Sequence, residues 1–177
     1  MQDEILILDR PIYSDKRGSF SKFFSGKILL DSGIDFSVKQ INHSVTLSSG
    51  TVRGMHFQKK PHHEKKLITC IKGKVLDIAI DLRKDSNTFL KHFSFELSED
   101  NKKMILLPEG FAHGFQTLTD NCELLYAHTK EYVVDSEDGL NPLDPNLNIK
   151  WPLKISNISD RDQNHEYISN KFEGLTI

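Results

Sequence analysis

Between Thr51 and Gly73 the chain reads TVRGMHFQKKPHHEKKLITCIKG, which holds three of its eight histidines, five lysines and an arginine. Such a stretch can hold a metal, bind an anionic partner, or move protons. Two histidines of one strand can hold a metal together when one residue separates them, because alternate residues share a face. Here His62, His63 and Glu64 are adjacent and His56 is followed by Phe57, so that ligand set is broken and no metal is expected. His62 and His63 follow Pro61 in a lysine-rich turn, with Lys59 and Lys60, and are expected to face solvent. The cations do not form one basic face either, since several alternate with strand residues and split between faces. A small anionic ligand suits so sparse an arrangement better than a polymer does. Proton transfer remains: histidine titrates near neutral pH and needs no large shift to act as a base.

Strands must position these groups. KVLDIAIDL alternates Leu76, Ile78, Ile80 and Leu82 against Val75, Asp77, Ala79 and Asp81, as a half-buried strand should. HFSFELS sets Phe93, Phe95 and Leu97 on one face, and KKMILLP and CELLYAHT are further short apolar runs. Turn formers separate them: Lys72-Gly73, RKDSN, SEDNK and TDN. Short strands at this spacing predict an all-β sandwich or barrel rather than βαβ units. Helix is sparse: FSGKILLDSG predicts a short one ending at Gly33, and the segment after Trp151 reads as irregular or weakly helical. The Pro/Asn-rich NPLDPNLNIKWP still carries Leu147, Ile149 and Trp151, so it is expected to pack across the barrel. With no repeat or linker, residues 1–177 read as a single domain.

Bulk properties narrow the function. The formal net charge of −2 argues against a nucleic-acid binder held by bulk electrostatics. Cys70 and Cys122 sit in apolar runs without a CxxC and read as reduced core residues. No apolar run approaches the ~20 residues of a membrane helix, and no secretory leader is recognisable, so a cytoplasmic protein without a membrane partner is expected.

A second segment, LLPEGFAHGFQTL, contains Pro108, Gly110 and His113 in a P-x-G-x-x-H pattern, one of the two signatures of a cupin, the double-stranded β-helix or jelly-roll barrel. With DKRGSF, QINHSVT, GTVRGMHFQ, KLITCIKGKVLDIAIDLRKDSNTF, ELLYAHTKEY, EDGLNPLDPNLNIKWP and ISDRD, it makes an ordered series covering about Asp15 to Asp162. In that series the chain resembles the dTDP-4-dehydrorhamnose 3,5-epimerases, metal-free cupins that act on nucleotide sugars without a cofactor. The resemblance implies His56 as the catalytic base, Asp162 as its carboxylate partner, Lys66 as the catalytic lysine and Tyr126 as the proton donor. Asp160 competes with Asp162, but the spacing of ISDRD favours Asp162. The resemblance further implies substrate contacts from Arg53, Gln40, Asn42, His113 and Glu137, with Tyr132 lining the nucleotide-sugar site. Arg17 and Phe20 match residues that a swapped N-terminal strand offers to a neighbouring subunit, which implies a homodimer.

The implied chemistry suits these groups. Inverting a sugar carbon requires a proton to leave one face and return on the other, and only carbons beside a carbonyl are acidic enough. A 4-keto sugar offers C3 and C5. Asp162 would orient the imidazole, and Lys66 would stabilise the enolate oxygen by about 3–4 kcal/mol. Leu124, Tyr126 and His128 share a face, so Tyr126 can point inward. Arg53 suits a diphosphate. Two positions depart from the family: Lys22 stands where a glutamate is usual near the nucleotide, and Arg161 where a lysine is usual. Lys22 leaves a CDP or GDP carrier open beside dTDP. The expected activity is a 3,5-epimerase on a nucleotide-diphosphate 4-keto-6-deoxy sugar, in deoxysugar or surface-polysaccharide biosynthesis. The alternatives are a single-position epimerase, a cupin 3,4-ketoisomerase or a non-catalytic sugar-binding cupin.

Overall fold

The computed structural model describes residues 4–169 and 171–177. Among the described residues twelve strands follow in chain order: β1 Leu6–Asp9, β2 Ile12–Asp15, β3 Gly18–Ser21, β4 Gln40–Thr46, β5 Val52–Gln58, β6 Lys66–Lys72, β7 Lys74–Asp81, β8 His92–Ser98, β9 Lys103–Leu107, β10 Phe111–Thr117, β11 Cys122–His128 and β12 Glu137–Gly139. One antiparallel sheet runs β1-β9-β6-β11-β4 and the other β12-β5-β10-β7-β8, while β2 and β3 form a separate hairpin. The chain repeatedly changes sheet at tight turns, giving the expected jelly-roll architecture. At Gly73, φ is +73° and a Cβ would lie 2.7 Å from the Thr119 hydroxyl, so only glycine fits where β6 crosses to β7.

The two inner faces enclose Ile68, Cys70, Val75, Ala79, Leu97, Ile105, Leu107, Phe111, Phe115, Cys122 and Leu124. Both cysteines are free and buried, and burial pushes the Cys70 thiol up to about 12. Outer faces are covered too. A helix α1, Gly26–Asp31, and the chain after it bring Leu29, Ile34 and Phe36 onto Leu67, Leu106 and Ala127. Gly33, the expected helix end, lies just past it at φ +77°.

Leu147, Ile149 and Trp151 pack on Ile78, Ile80 and Leu82, so the Pro/Asn-rich segment does lie across the barrel. Each large apolar side chain buried there contributes about 1.5–3 kcal/mol. This covering corrects the expected half-burial of β7. Its Leu76/Ile78/Ile80 face meets the C-terminal segment, while Val75, Asp77 and Ala79 face the interior. A carboxylate thus sits inside the barrel where alternation alone suggested solvent.

Candidate active site

The arginine and histidine of RGMH are three residues apart, an odd spacing that in a regular strand puts them on opposite faces. A β-bulge brings them together. His113 of β10 registers with His56 and Phe115 with Arg53, so two steps on β10 match three on β5. The strands approach very closely there: a Cβ on Gly54 would lie 2.5 Å from the Gly114 Cα, and one on Gly114 2.6 Å from the Met55 sulfur. Two facing glycines permit the bulge, and the bulge turns both Arg53 and His56 toward one cavity.

That cavity, about 370 Å³, is lined by Gln40, Asn42 and Ser44 of β4, Arg53 and His56 of β5, Lys66 at the start of β6, His113 of β10, Tyr126 and His128 of β11, and Glu64, Tyr132 and Glu137 from the connections and β12. A larger open groove, about 1140 Å³, runs beside Ile7 of β1, Phe93 and Phe95 of β8 and the 83–88 loop, and carries none of the expected site residues. Among the described residues, no group of three or more His, Cys, Asp or Glu side chains converges as a metal would require.

Asp162 reaches His56 from α2, a single turn at Asp160–Gln163 capped by the Ser159 hydroxyl, which accepts from the Asp162 N–H at 3.1 Å. Its Oδ1 lies 2.8 Å from His56 Nε2, and its Oδ2 accepts from the Gly54 N–H at 3.1 Å. Burial favours the neutral acid, but the His56 hydrogen bond, the imidazole charge and the Gly54 amide together hold the Asp162 carboxyl down to about 2. Arg161 Nη2 lies 3.0 Å from the same His56 nitrogen. One nitrogen cannot donate to Asp162 and accept from Arg161. The ionised carboxylate has no proton to give, so Nε2 carries the hydrogen and donates it to Asp162. Nδ1 then keeps its lone pair, the atom a base uses, and Arg161 stands alongside as a cation. Asp160, the competitor, instead accepts from Gln163 at 3.1 Å.

Lys66 is almost fully buried, its ammonium 3.4 Å from Glu64 Oε1 and 3.4 Å from the His56 carbonyl. Tyr126 points inward as its strand face required, its hydroxyl 3.2 Å from the Ser44 hydroxyl, and burial pushes the phenol well above its ordinary value. His113 packs edge-on against Tyr126, with ring centroids 6.0 Å apart, and pairs with Asp77 at 2.8 Å. Tyr132 donates its hydroxyl to Glu137 at 2.7 Å, and Arg161 reaches the same oxygen at 2.8 Å.

Three expected contributors lie elsewhere. Arg17, Phe20 and Lys22 belong to the β2–β3 hairpin or its end, where Arg17 pairs with Asp15 at 2.6 Å, Phe20 is exposed and the Lys22 ammonium lies 6.0 Å from the Tyr13 ring. They do not enter the cavity of their own chain. His63 is a correction: it is buried at 7 % exposure, not solvent-facing. The loop is pinned back, with the His62 N–H on the Lys59 carbonyl at 2.9 Å and the Gln58 amide on the His62 carbonyl at 3.3 Å, which turns His63 beneath it. Sequence reasoning passed over Glu64, Asp77 and the part His128 plays. A lone aspartate inside an apolar strand was the available signal for Asp77.

A sequence profile of the dTDP-4-dehydrorhamnose 3,5-epimerases matches residues 2–170. The chain belongs to this family. It is 38 % identical over 162 residues to the dTDP-4-dehydrorhamnose 3,5-epimerase of Shigella flexneri, covering 91 % of this chain and 89 % of that one. The family's Bacillus anthracis epimerase, solved with TDP and pyrophosphate bound, superposes with a TM-score of 0.90 at 36 % identity, over 93 % and 94 % of the two chains. A 3′-monoepimerase from Streptomyces bikiniensis in complex with dTDP-quinovose superposes at 0.85, with 33 % identity, over 92 % and 83 %. The protein is thus an isomerase of the epimerase class, on a cupin frame shared by enzymes that differ in how many carbons they invert.

Proposed function

We propose that this epimerase inverts C3 and C5 of a dTDP-linked 4-keto-6-deoxyhexose, with His56, Asp162, Lys66 and Tyr126 as its catalytic groups. The observation that carries the reading is the His56–Asp162 pair at 2.8 Å, opening on the same cavity as Lys66 and Tyr126. His56 Nδ1 takes the proton from the carbon beside the C4 ketone, and Asp162 balances the imidazolium. Electron density moves onto the C4 oxygen, where the Lys66 ammonium stabilises the enolate by about 3–4 kcal/mol. Tyr126, kept in its proton-bearing form by burial, returns a proton from the opposite face. The resulting phenolate and imidazolium then exchange protons with water. Arg53 and Arg161 supply guanidinium groups for the diphosphate, and Tyr132 a ring for the base.

Inversion at one carbon alone is the second reading, favoured by the likeness to the 3′-monoepimerase. Incubation with dTDP-4-keto-6-deoxyglucose in deuterated water separates the two. Deuterium at both C3 and C5 supports the double epimerase and at one position the second reading. Absence of exchange with dTDP, CDP and GDP carriers alike overturns both.

A homodimer is part of the proposal. It is supported by the exposed Ile41 and Val45 on edge strand β4, with Leu47 just beyond, and by the hairpin that holds Arg17 and Phe20 clear of their own cavity. A cytoplasmic setting is also proposed, on the two free thiols. Light scattering at the mass of one chain would contradict the dimer.

A further inference from the structure

The Lys66 ammonium is held by a carboxylate that is itself held, and the direction of every bond in the arrangement can be worked out. The Tyr132 backbone N–H can only donate, and it donates to Gln40 Oε1 at 2.8 Å. The amide nitrogen of Gln40 therefore faces the other way and donates to Asn42 Oδ1 at 2.8 Å. Asn42 in turn presents its nitrogen to His128 Nε2 at 3.2 Å, so that ring nitrogen must accept. The proton of a neutral His128 then sits on Nδ1, which meets Glu64 Oε2 at 2.8 Å. Glu64 Oε1 faces Lys66 Nζ at 3.4 Å. Each bond fixes the polarity of the next, and none conflicts.

We propose that Glu64 and His128 are positioning residues for Lys66, the terminal links of a one-way hydrogen-bond chain that runs from the Tyr132 backbone through Gln40 and Asn42. This rests on the proposed role of Lys66. Glu64 and His128 are almost wholly buried, with side-chain exposures of 7 % and 10 %, so the end of the chain that meets Lys66 is a built feature, while its Tyr132–Gln40–Asn42 end lies at the exposed rim. An ammonium has three N–H groups. Glu64 and the His56 carbonyl occupy two directions, which leaves the third for the oxygen of a bound ketone. Burial would push the Glu64 carboxyl up, but His128 and Lys66 more than reverse this and keep it ionised, so the ammonium meets a full negative charge. The same arrangement ties the tyrosine expected beside the nucleotide to the lysine expected beside the ketone.

Glu64→Gln tests this with little change of shape: one amide oxygen can still accept from His128, but the charge facing Lys66 is gone. With dTDP-4-keto-6-deoxyglucose in deuterated water, kcat is expected to fall about tenfold to thirtyfold while KM stays within about twofold, the signature of a misplaced catalytic group. His128→Gln, which spares the Glu64–Lys66 pair, is expected to lower kcat about threefold. An unchanged kcat in Glu64→Gln, with only thermal stability reduced, would overturn the proposal. Long-range nitrogen NMR of histidine-labelled wild-type protein decides the chain without any substrate. His128 must show the Nδ1–H tautomer at neutral pH, against the preference of free imidazole side chains for Nε2–H. The Nε2–H tautomer would overturn the chain even in an active enzyme. A wild-type protein inactive on the sugar counts against the proposed function, and the NMR result then judges the chain by itself.

Discussion

The His56–Asp162 and His113–Asp77 pairs meet the same cavity with the same 2.8 Å bond, yet their carboxyls are pushed in opposite directions. Asp162 comes from the last helical turn, accepts from the Gly54 amide as well as from His56, and has the Arg161 guanidinium 3.5 Å away. Its second oxygen is supplied, and the acid is held down to about 2. Asp77 lies fully buried on an interior strand face, with His113 on one oxygen and no hydrogen-bond partner for Oδ1 among the described residues. Burial dominates there, and its pKa rises. A histidine alone does not make a strong carboxylate; the donors around the other oxygen decide. That difference suits Asp162 to balancing a charged imidazole and Asp77 to fixing the His113 ring.

The sharpest way to break the comparison is to remove the bases. His56→Ala is expected to lower solvent deuterium exchange at least about 1,000-fold. A loss of similar size in His113→Ala, with exchange retained in His56→Ala, would reverse the roles. Asp162→Asn comes next, with an expected loss of about 100- to 1,000-fold, because the Gly54 N–H competes with His56 for the one amide oxygen and the negative charge that balances the imidazolium is gone. Asp77→Asn is expected to cost only about tenfold in kcat, since the amide oxygen can still accept from His113. Equal losses in the two asparagine variants would show that the pairs are equivalent.

Stability against pH sharpens the same contrast. Asp162 has a folded value of about 2, below its ordinary 3.8, so its stabilisation is complete above about pH 4 and is lost as pH falls toward 2. Asp77 is shifted upward, so its ionised form opposes folding near neutrality and that opposition fades as pH falls through its folded value. In urea unfolding followed from about pH 7 to pH 3, Asp162→Asn should flatten the acid-side loss and Asp77→Asn should steepen it. The smallest effect belongs to His62→Ala, which lies outside the cavity lining and should leave exchange within about twofold.

Much of this was legible in the residues. The turn at Lys72-Gly73 and the alternation of CELLYAHT announced the barrel and the inward phenol. The apolar positions of NPLDPNLNIKWP marked a segment that packs. Periodicity misled at β7, because it reports which residues differ in polarity and not which face a distant segment will cover. It was silent at Arg53 and His56 as well, since a bulge changes the face without leaving a pattern in one strand. His63 went the same way: adjacent histidines among lysines look exposed until the turn is folded back and pinned.

By itself the sequence determined the all-β class, the chemical types available and, through its ordered motifs, the family. Those properties depend on local spacing and composition, which a linear chain carries directly. Only the tertiary structure decided that a bulge turns Arg53 and His56 to one side, that Asp77 is interior and that Glu64 braces Lys66. Each depends on where chain segments remote in sequence, or turned by a folded loop, come to rest. Hydrogen-bond direction and desolvation have no value until both partners are in place.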